Sequence, residues 1–285
     1  MQAAETIQLS AGPIRYVDRG SGPPVVFVHG LLVDGQLWRK LTPLLEDRAR
    51  CIVPDWPLGS HVTPMNADAD LTPRGVARLI AELLERLELR DVTLVGNDTG
   101  GAISQLLVTE RPERIGGLVL TPCDSFDDFF PPLFRGFQLL ARTPPLLTAT
   151  LQTMRVRALR RLPIAFGWLT KRPIPNDVVD AWLRPYLTDR GVRRDTIKLL
   201  RGVDKRDTLD AAERLRDFDR PALVAWAAED RVFKPENGRR LAELLPQGRF
   251  ESIEDAYSFV PEDQPERLAE LIAKFIADRS AAPAA

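Results

Sequence analysis

Short apolar runs bounded by turn residues recur along the chain, with amphipathic stretches between them. This is the rhythm of strands alternating with helices. Pro24-Val25-Val26-Phe27-Val28 is the first run that reads as a clearly buried strand. Cys51-Ile52-Val53-Pro54, Val92-Thr93-Leu94-Val95, Gly117-Leu118-Val119-Leu120, Ala222-Leu223-Val224-Ala225-Trp226 and Phe250-Glu251-Ser252-Ile253 follow. Near-continuous apolarity in strands separated by helices predicts a mostly parallel central sheet covered by helices on both faces, an α/β fold.

The clearest helical pattern runs from Leu71 to Leu89, where Val76, Leu79, Ile80, Leu83, Leu84 and Leu87 form one stripe. Thr72 followed by Pro73 supplies an N-cap and a first-turn proline. A last helix is predicted to start near Pro265 and to bury Leu268, Leu271, Ile272 and Phe275. Between Asp124 and Val203 strand signals vanish, and Phe, Leu, Pro and Arg mix in short helical patterns. A helical insertion over the carboxyl ends of the strands, where open α/β sheets bind ligands, reads this way. The organisation predicted is a core from 1–123 and 204–279, a helical cap at 124–203, and a disordered tail at 280–285. In the cap, Arg155, Arg157, Arg160 and Arg161 read as a solvated helix face or as contacts to an anionic substrate.

Composition changes this picture little. The chain has 285 residues, 44% hydrophobic and 28% charged, enough for a full core. Lys plus Arg (39) against Asp plus Glu (40) leaves a formal charge of −1. That average offers no electrostatic case for nucleic acid or membrane and points to a small-molecule partner. The first residues lack the basic flank and apolar run of a signal peptide, so a cytoplasmic protein is expected. Cys51 lies in a strand pattern and Cys123 just after another, and both are expected as reduced, buried thiols. Oligomeric state is not readable from the sequence.

The chemistry concentrates in Gly96-Asn97-Asp98-Thr99-Gly100. Glycines two residues before and after a central residue are what a strand-to-helix turn needs to thrust one reactive side chain into a pocket. His29-Gly30 ends an earlier strand, Ala228-Glu229-Asp230 follows a late one, and Asp255-Ala256-Tyr257-Ser258-Phe259-Val260-Pro261 precedes the last helix. In this order the motifs resemble the α/β-hydrolase superfamily over almost the whole chain. Aspartate at the elbow is similar to the branch of haloalkane dehalogenases and epoxide hydrolases. A carboxylate is already ionised at neutral pH and can attack an sp3 carbon to form an aspartyl ester. The resemblance implies Asp98 as nucleophile and backbone N–H groups of Leu31 and Thr99 as oxyanion hole. It implies Asp230, or alternatively Asp124, as the supporting acid. It implies no cofactor and no metal.

The same resemblance places a histidine where the chain has Ser258, and a glycine where it has Tyr257. Only His29 and His61 exist elsewhere. His29 is expected to shape the oxyanion loop beside the substrate, and His61 is the candidate substitute base, with Glu254 or Asp255 as further helpers to water. Dehalogenases of this branch carry a tryptophan after the elbow aspartate, where Thr99 stands. Epoxide hydrolases carry cap tyrosines, of which Tyr186 is the main one available. The expected function is hydrolysis of small organic molecules. The alternatives are a lyase or isomerase using Asp98 as acid or base, and a catalytically impaired ligand-binding homologue.

Overall fold

The computed structural model describes residues 4–281. Eight strands form one sheet in the order β1-β2-β4-β3-β5-β6-β7-β8. They are β1 (Glu5–Leu9), β2 (Gly12–Arg19), β3 (Pro24–Val28), β4 (Arg50–Pro54), β5 (Val92–Asp98), β6 (Ile115–Cys123), β7 (Ala222–Ala227) and β8 (Gly248–Ile253). β3 to β8 are mutually parallel, whereas β2 pairs antiparallel with both β1 and β4. Six strands thus match the apolar runs of the sequence. The β1–β2 hairpin was not anticipated, because it sits at the sheet's margin and alternates buried Ile14 and Tyr16 with outward Arg15.

The helices are α1 (Pro73–Arg86), α2 (Thr99–Glu110), α3 (Arg135–Leu140), α4 (Pro144–Gln152), α5 (Asn176–Thr188), α6 (Arg190–Gly202), α7 (Lys205–Arg214), α8 (Pro235–Leu244), α9 (Val260–Asp263) and α10 (Pro265–Ala281). Thr72 caps α1 as expected, its hydroxyl accepting from Gly75 N at 3.1 Å. α2 leaves β5 at once and is buried on nearly every side, so it is apolar all round rather than striped. It packs between the sheet, α1 and α7.

From Asp124 to Val203 the chain is helices and turns. Its α6 ends just before the Asp204 cap of α7. Trp182 on α5 ties this excursion to the loop after β3, its indole donating to Asp34 Oδ1 at 2.9 Å. At the far end, Ser280 and Ala281 continue α10 instead of joining a disordered tail, with the Ser280 hydroxyl bonded to Ile276 O. Residues 282–285 of that expected tail lie outside the described residues. Both cysteines are free and buried.

Candidate active site

β5 ends and α2 begins at Asp98, whose backbone sits at φ 56° and ψ −136°. This left-handed conformation is unfavourable for any residue with a Cβ and is held because the flanking glycines allow the turn to close. A side chain on Gly100 would overlap the carbonyls of Val28 and His29, and one on Gly96 would meet Gly101 Cα at 2.7 Å. A Cβ on Gly30 would stand 2.5 Å from Asp98 Oδ1. The sequence therefore spends its glycines on bringing β3, α2 and Asp98 together.

Asp98 Oδ1 accepts from Thr99 N at 2.5 Å and from Leu31 N at 3.3 Å. The two backbone donors expected to form an oxyanion hole both point at one oxygen of the elbow carboxylate. The start of α2 adds the positive end of its dipole. Thr99 reaches further: its hydroxyl donates to Asp124 Oδ2 at 3.2 Å, while Asp124 Oδ1 is buried without a partner. One threonine thus touches both acids.

Asp98 and Asp124 lie at the end of a cavity of about 150 Å³. Its remaining walls are almost entirely carbon, with Leu31, Phe130, Phe134, Phe137, Phe166 and Leu183 among them. An apolar cavity of about this volume accommodates a benzene-sized molecule. Among the described lining residues there is no Trp, Tyr, His, Lys or Arg.

Asp230 stands behind this floor. Its Oδ1 accepts from Val232 N at 2.7 Å, Phe233 N at 2.9 Å and the Ser258 hydroxyl at 2.9 Å, while Oδ2 is enclosed and unpartnered. Ser258 therefore contacts Asp230, one of the two acids that the resemblance implies as support for a histidine at its position. Asn97 was not singled out from the sequence, yet its amide donates to Thr121 Oγ1, Pro122 O and Ser258 O, stitching β5 to β6 and to the segment before α9. Its place next to the elbow aspartate was the available signal.

Three carboxyls crowd this site with no cation among the described lining residues. Burial pushes Asp98 above the usual carboxylate range, against the lowering effect of its two N–H bonds. Burial, and then the Asp98 charge, hold Asp124 well above it. Burial likewise raises Asp230 to about 7, resisted by its N–H and Ser258 bonds. They cannot all ionise together at neutral pH. Asp98, with two amide donors and a helix N-terminus, is best equipped to hold the negative charge.

The remaining candidates lie elsewhere. His29 is buried, with Nδ1 on Gly30 O at 2.9 Å and Nε2 accepting from Trp56 N at 2.8 Å. Burial pulls its pKa down to about 4, so it is a neutral brace of the loop. His61 does not line the cavity and sets Nε2 3.3 Å from Asp195 Oδ2 on α6. Tyr186 meets Thr148 at 3.3 Å, and Tyr257 lies under the Arg231 guanidinium at 4.7 Å. Neither ring lines the cavity. Glu254 and Asp255 are exposed, the latter paired with Arg172 and Lys171. Of the four arginines singled out in the helical excursion, Arg155, Arg157 and Arg161 are exposed, Arg160 is buried, and none lines the cavity. Among the described residues no group of three or more His, Cys, Asp or Glu is arranged to hold a metal.

A family model described as alpha/beta hydrolase fold matches residues 23–265, which include β3 to β8, the elbow and the helical excursion after β6. The chain belongs to the α/β hydrolase fold family. Haloalkane dehalogenase 2 of Mycobacterium tuberculosis is 29% identical over 274 residues, covering 92% of this chain and 91% of that protein. Cis-3-alkyl-4-alkyloxetan-2-one decarboxylase of Xanthomonas campestris is 29% identical over 285 residues, covering 92% and 91%. The solved structure of the epoxide hydrolase CorEH superposes with a TM-score of 0.79 at 20% identity, covering 97% of this chain and 99% of that one. This α/β hydrolase fold protein is thus similar to a curated haloalkane dehalogenase over 92% of its length and shares its fold with the epoxide hydrolase structure.

Proposed function

We propose that the protein hydrolyses small, neutral, apolar molecules carrying a strained oxygen ring, epoxides above all, through an ester on Asp98. The observation that carries this reading is the pairing of Asp98 with Asp124 on the floor of an otherwise carbon-lined cavity. In this reading residues 124–203 act as the cap that shapes the cavity. A halide leaving group would need N–H donors from side chains, and the cavity lining offers none. A ring oxygen needs one proton, and a protonated Asp124 supplies it.

Asp98 Oδ2, which accepts no hydrogen bond from a described residue, attacks a ring carbon as the C–O bond breaks. The freed oxygen takes the Asp124 proton. Asp124, now a carboxylate, removes a proton from water, and the resulting hydroxide adds to the ester carbonyl. Leu31 N and Thr99 N hold the developing oxyanion on Oδ1. Collapse releases the diol, Asp98 returns as carboxylate and Asp124 is again protonated. One acid that serves first as donor and then as base is the economy of retaining glycosidases. It gives the histidine's task to a group already in place.

The test is a single turnover in ¹⁸O-labelled water with a small epoxide, followed by peptide mass spectrometry. Label in the Asp98 peptide, and unlabelled diol, are expected. Label in the diol alone means direct attack by water, and the ester reading fails. A second reading, ring fragmentation to an alkene and carbon dioxide, draws on the oxetanone decarboxylase relatives and on the absence of histidine from the cavity lining, since that reaction consumes no water. Alkene in the headspace over an oxetan-2-one would mark it.

A further inference from the structure

The formal charge of −1 hides a segregation. Residues 129–176 contain eight basic residues and no acidic one, leaving the rest of the chain at −9 since the total is −1. This stretch includes α3, α4 and the turns that follow them. It also holds five of the eight large hydrophobic side chains that are exposed among the described residues: Leu139 (65%), Leu146, Val156, Leu162 and Ile164 (49%). Arg135, Arg142, Arg155, Arg157 and Arg161, also exposed, are interleaved with them. Asp128 answers Arg135, and Asp180 answers Arg157 and the buried Arg160. Arg142, Arg155 and Arg161 have no ion-pair partner among the described residues.

The cavity opens on this same face. Gly136 and Ile164 are both exposed and both line it, and a Cβ on Gly136 would meet nothing within 4 Å. Exposed aliphatic side chains near an apolar mouth cost free energy in water, and with unpaired guanidinium groups among them they suit a surface with anionic headgroups above hydrocarbon. We infer that the face formed by residues 135–164 docks on anionic lipid bilayers and takes its apolar substrate from them. No described helix is long and apolar enough to cross a membrane, so the contact is peripheral. A second copy of the chain is a poorer occupant. A two-fold contact through this face would set its arginines against themselves, with no acid in the segment to answer them.

Co-sedimentation of the full chain with vesicles tests this without requiring turnover, so it stands or falls apart from the ester chemistry. Phosphatidylglycerol-containing vesicles should bring the protein down, and pure phosphatidylcholine vesicles should not. Each surface arginine contributes roughly fivefold, about 1 kcal/mol. Reversal of two in Arg155→Glu/Arg161→Glu should lower the partition coefficient by at least about twentyfold. Molar salt should do the same to the unaltered chain. Leu146→Ser/Val156→Ser should weaken binding at unchanged charge, and both variants should keep their activity on a water-dissolved substrate. Equal sedimentation with neutral vesicles, undiminished binding by the charge-reversed variant, or no binding to either vesicle overturns the inference. So does dimerisation in gel filtration that the serine variants abolish.

Discussion

At the scale of single residues, the site is defined by which carboxyl carries charge. Asp98 has two amide donors on one oxygen and a helix start behind it, whereas Asp124 has one hydroxyl and an unpartnered oxygen. Removing the second acid should therefore slow both half-reactions, ester hydrolysis the more, because the ring oxygen can take its proton from water whereas the ester has no other base beside it. In Asp124→Asn the amide can neither supply a proton readily nor take one from water, so turnover should fall by about 10²–10⁴. An adduct of enzyme plus substrate mass should accumulate on Asp98, visible by intact mass spectrometry. An Asp124→Asn enzyme that turns over normally, with no adduct, would refute the relay. Ser258→His in that background is a rescue experiment. The hydroxyl lies 2.9 Å from Asp230, so an imidazole there could take Asp230 as its partner and restore ester hydrolysis. It would do so at an overpacking cost of about 1–3 kcal/mol, because Ser258 is fully buried.

At the scale of elements, close approach between β3 and the elbow sets the position of Asp98. Gly30→Ala would place a methyl group 2.5 Å from Asp98 Oδ1 while leaving the strand pairing of β3 untouched. Activity should drop by about 10-fold or more with an unchanged circular dichroism spectrum, since a small displacement of a reacting group is enough to lose rate. His61 provides the contrast. It bridges the loop after β4 to α6 through Asp195, which also accepts from Met65 N at 2.8 Å. His61→Ala should cost about 1–3 kcal/mol in chemical denaturation and leave turnover within about tenfold of normal. Abolished turnover in a variant of normal stability would restore His61 as the base.

These two residues also show what was legible beforehand. Asp98 was readable because the elbow is local, a glycine spacing whose meaning does not depend on distant packing, whereas the close approach of Gly30 to it was not. β3 to β7 were readable because strands buried on both faces are near-unbroken apolar runs, and the edge strand β8 because Phe250 and Ile253 mark it, whereas the β1–β2 hairpin interrupts its apolar positions with Glu5, Arg15 and Asp18 and resembles a loop. The directions of His61, Tyr186 and Tyr257 were not readable. Each depends on how the excursion after β6 settles on the core, which is a sum of long-range contacts rather than a motif. Asp124 and Thr99 fall between the two cases: their positions followed from strand ends, but their hydrogen bond to each other did not.

At the scale of the whole molecule, crowding buried acids is a stability cost that depends on pH. Asp230 titrates near 7 in the folded chain, while an unfolded aspartate titrates near 3.9. Below about pH 4 both states bind the proton and the group is neutral in its effect. Between about 4 and about 7 only the folded state keeps it, so stability contributed at low pH is lost as the pH rises, and the loss levels off above 7. Asn at this position imitates the protonated acid and keeps an Oδ1 to accept from Val232 N, Phe233 N and the Ser258 hydroxyl. The surface ion pairs are common to both proteins and cancel from the difference. Asp230→Asn should therefore match the unaltered chain in melting temperature near pH 4, gain on it steadily through pH 5 and 6, and hold a constant lead above pH 7. A difference that stays flat from pH 4 to 8 would mean that Asp230 is ionised throughout. The negative charge at the site would then have to be shared in another way, with Asp98 as the next acid to carry the proton.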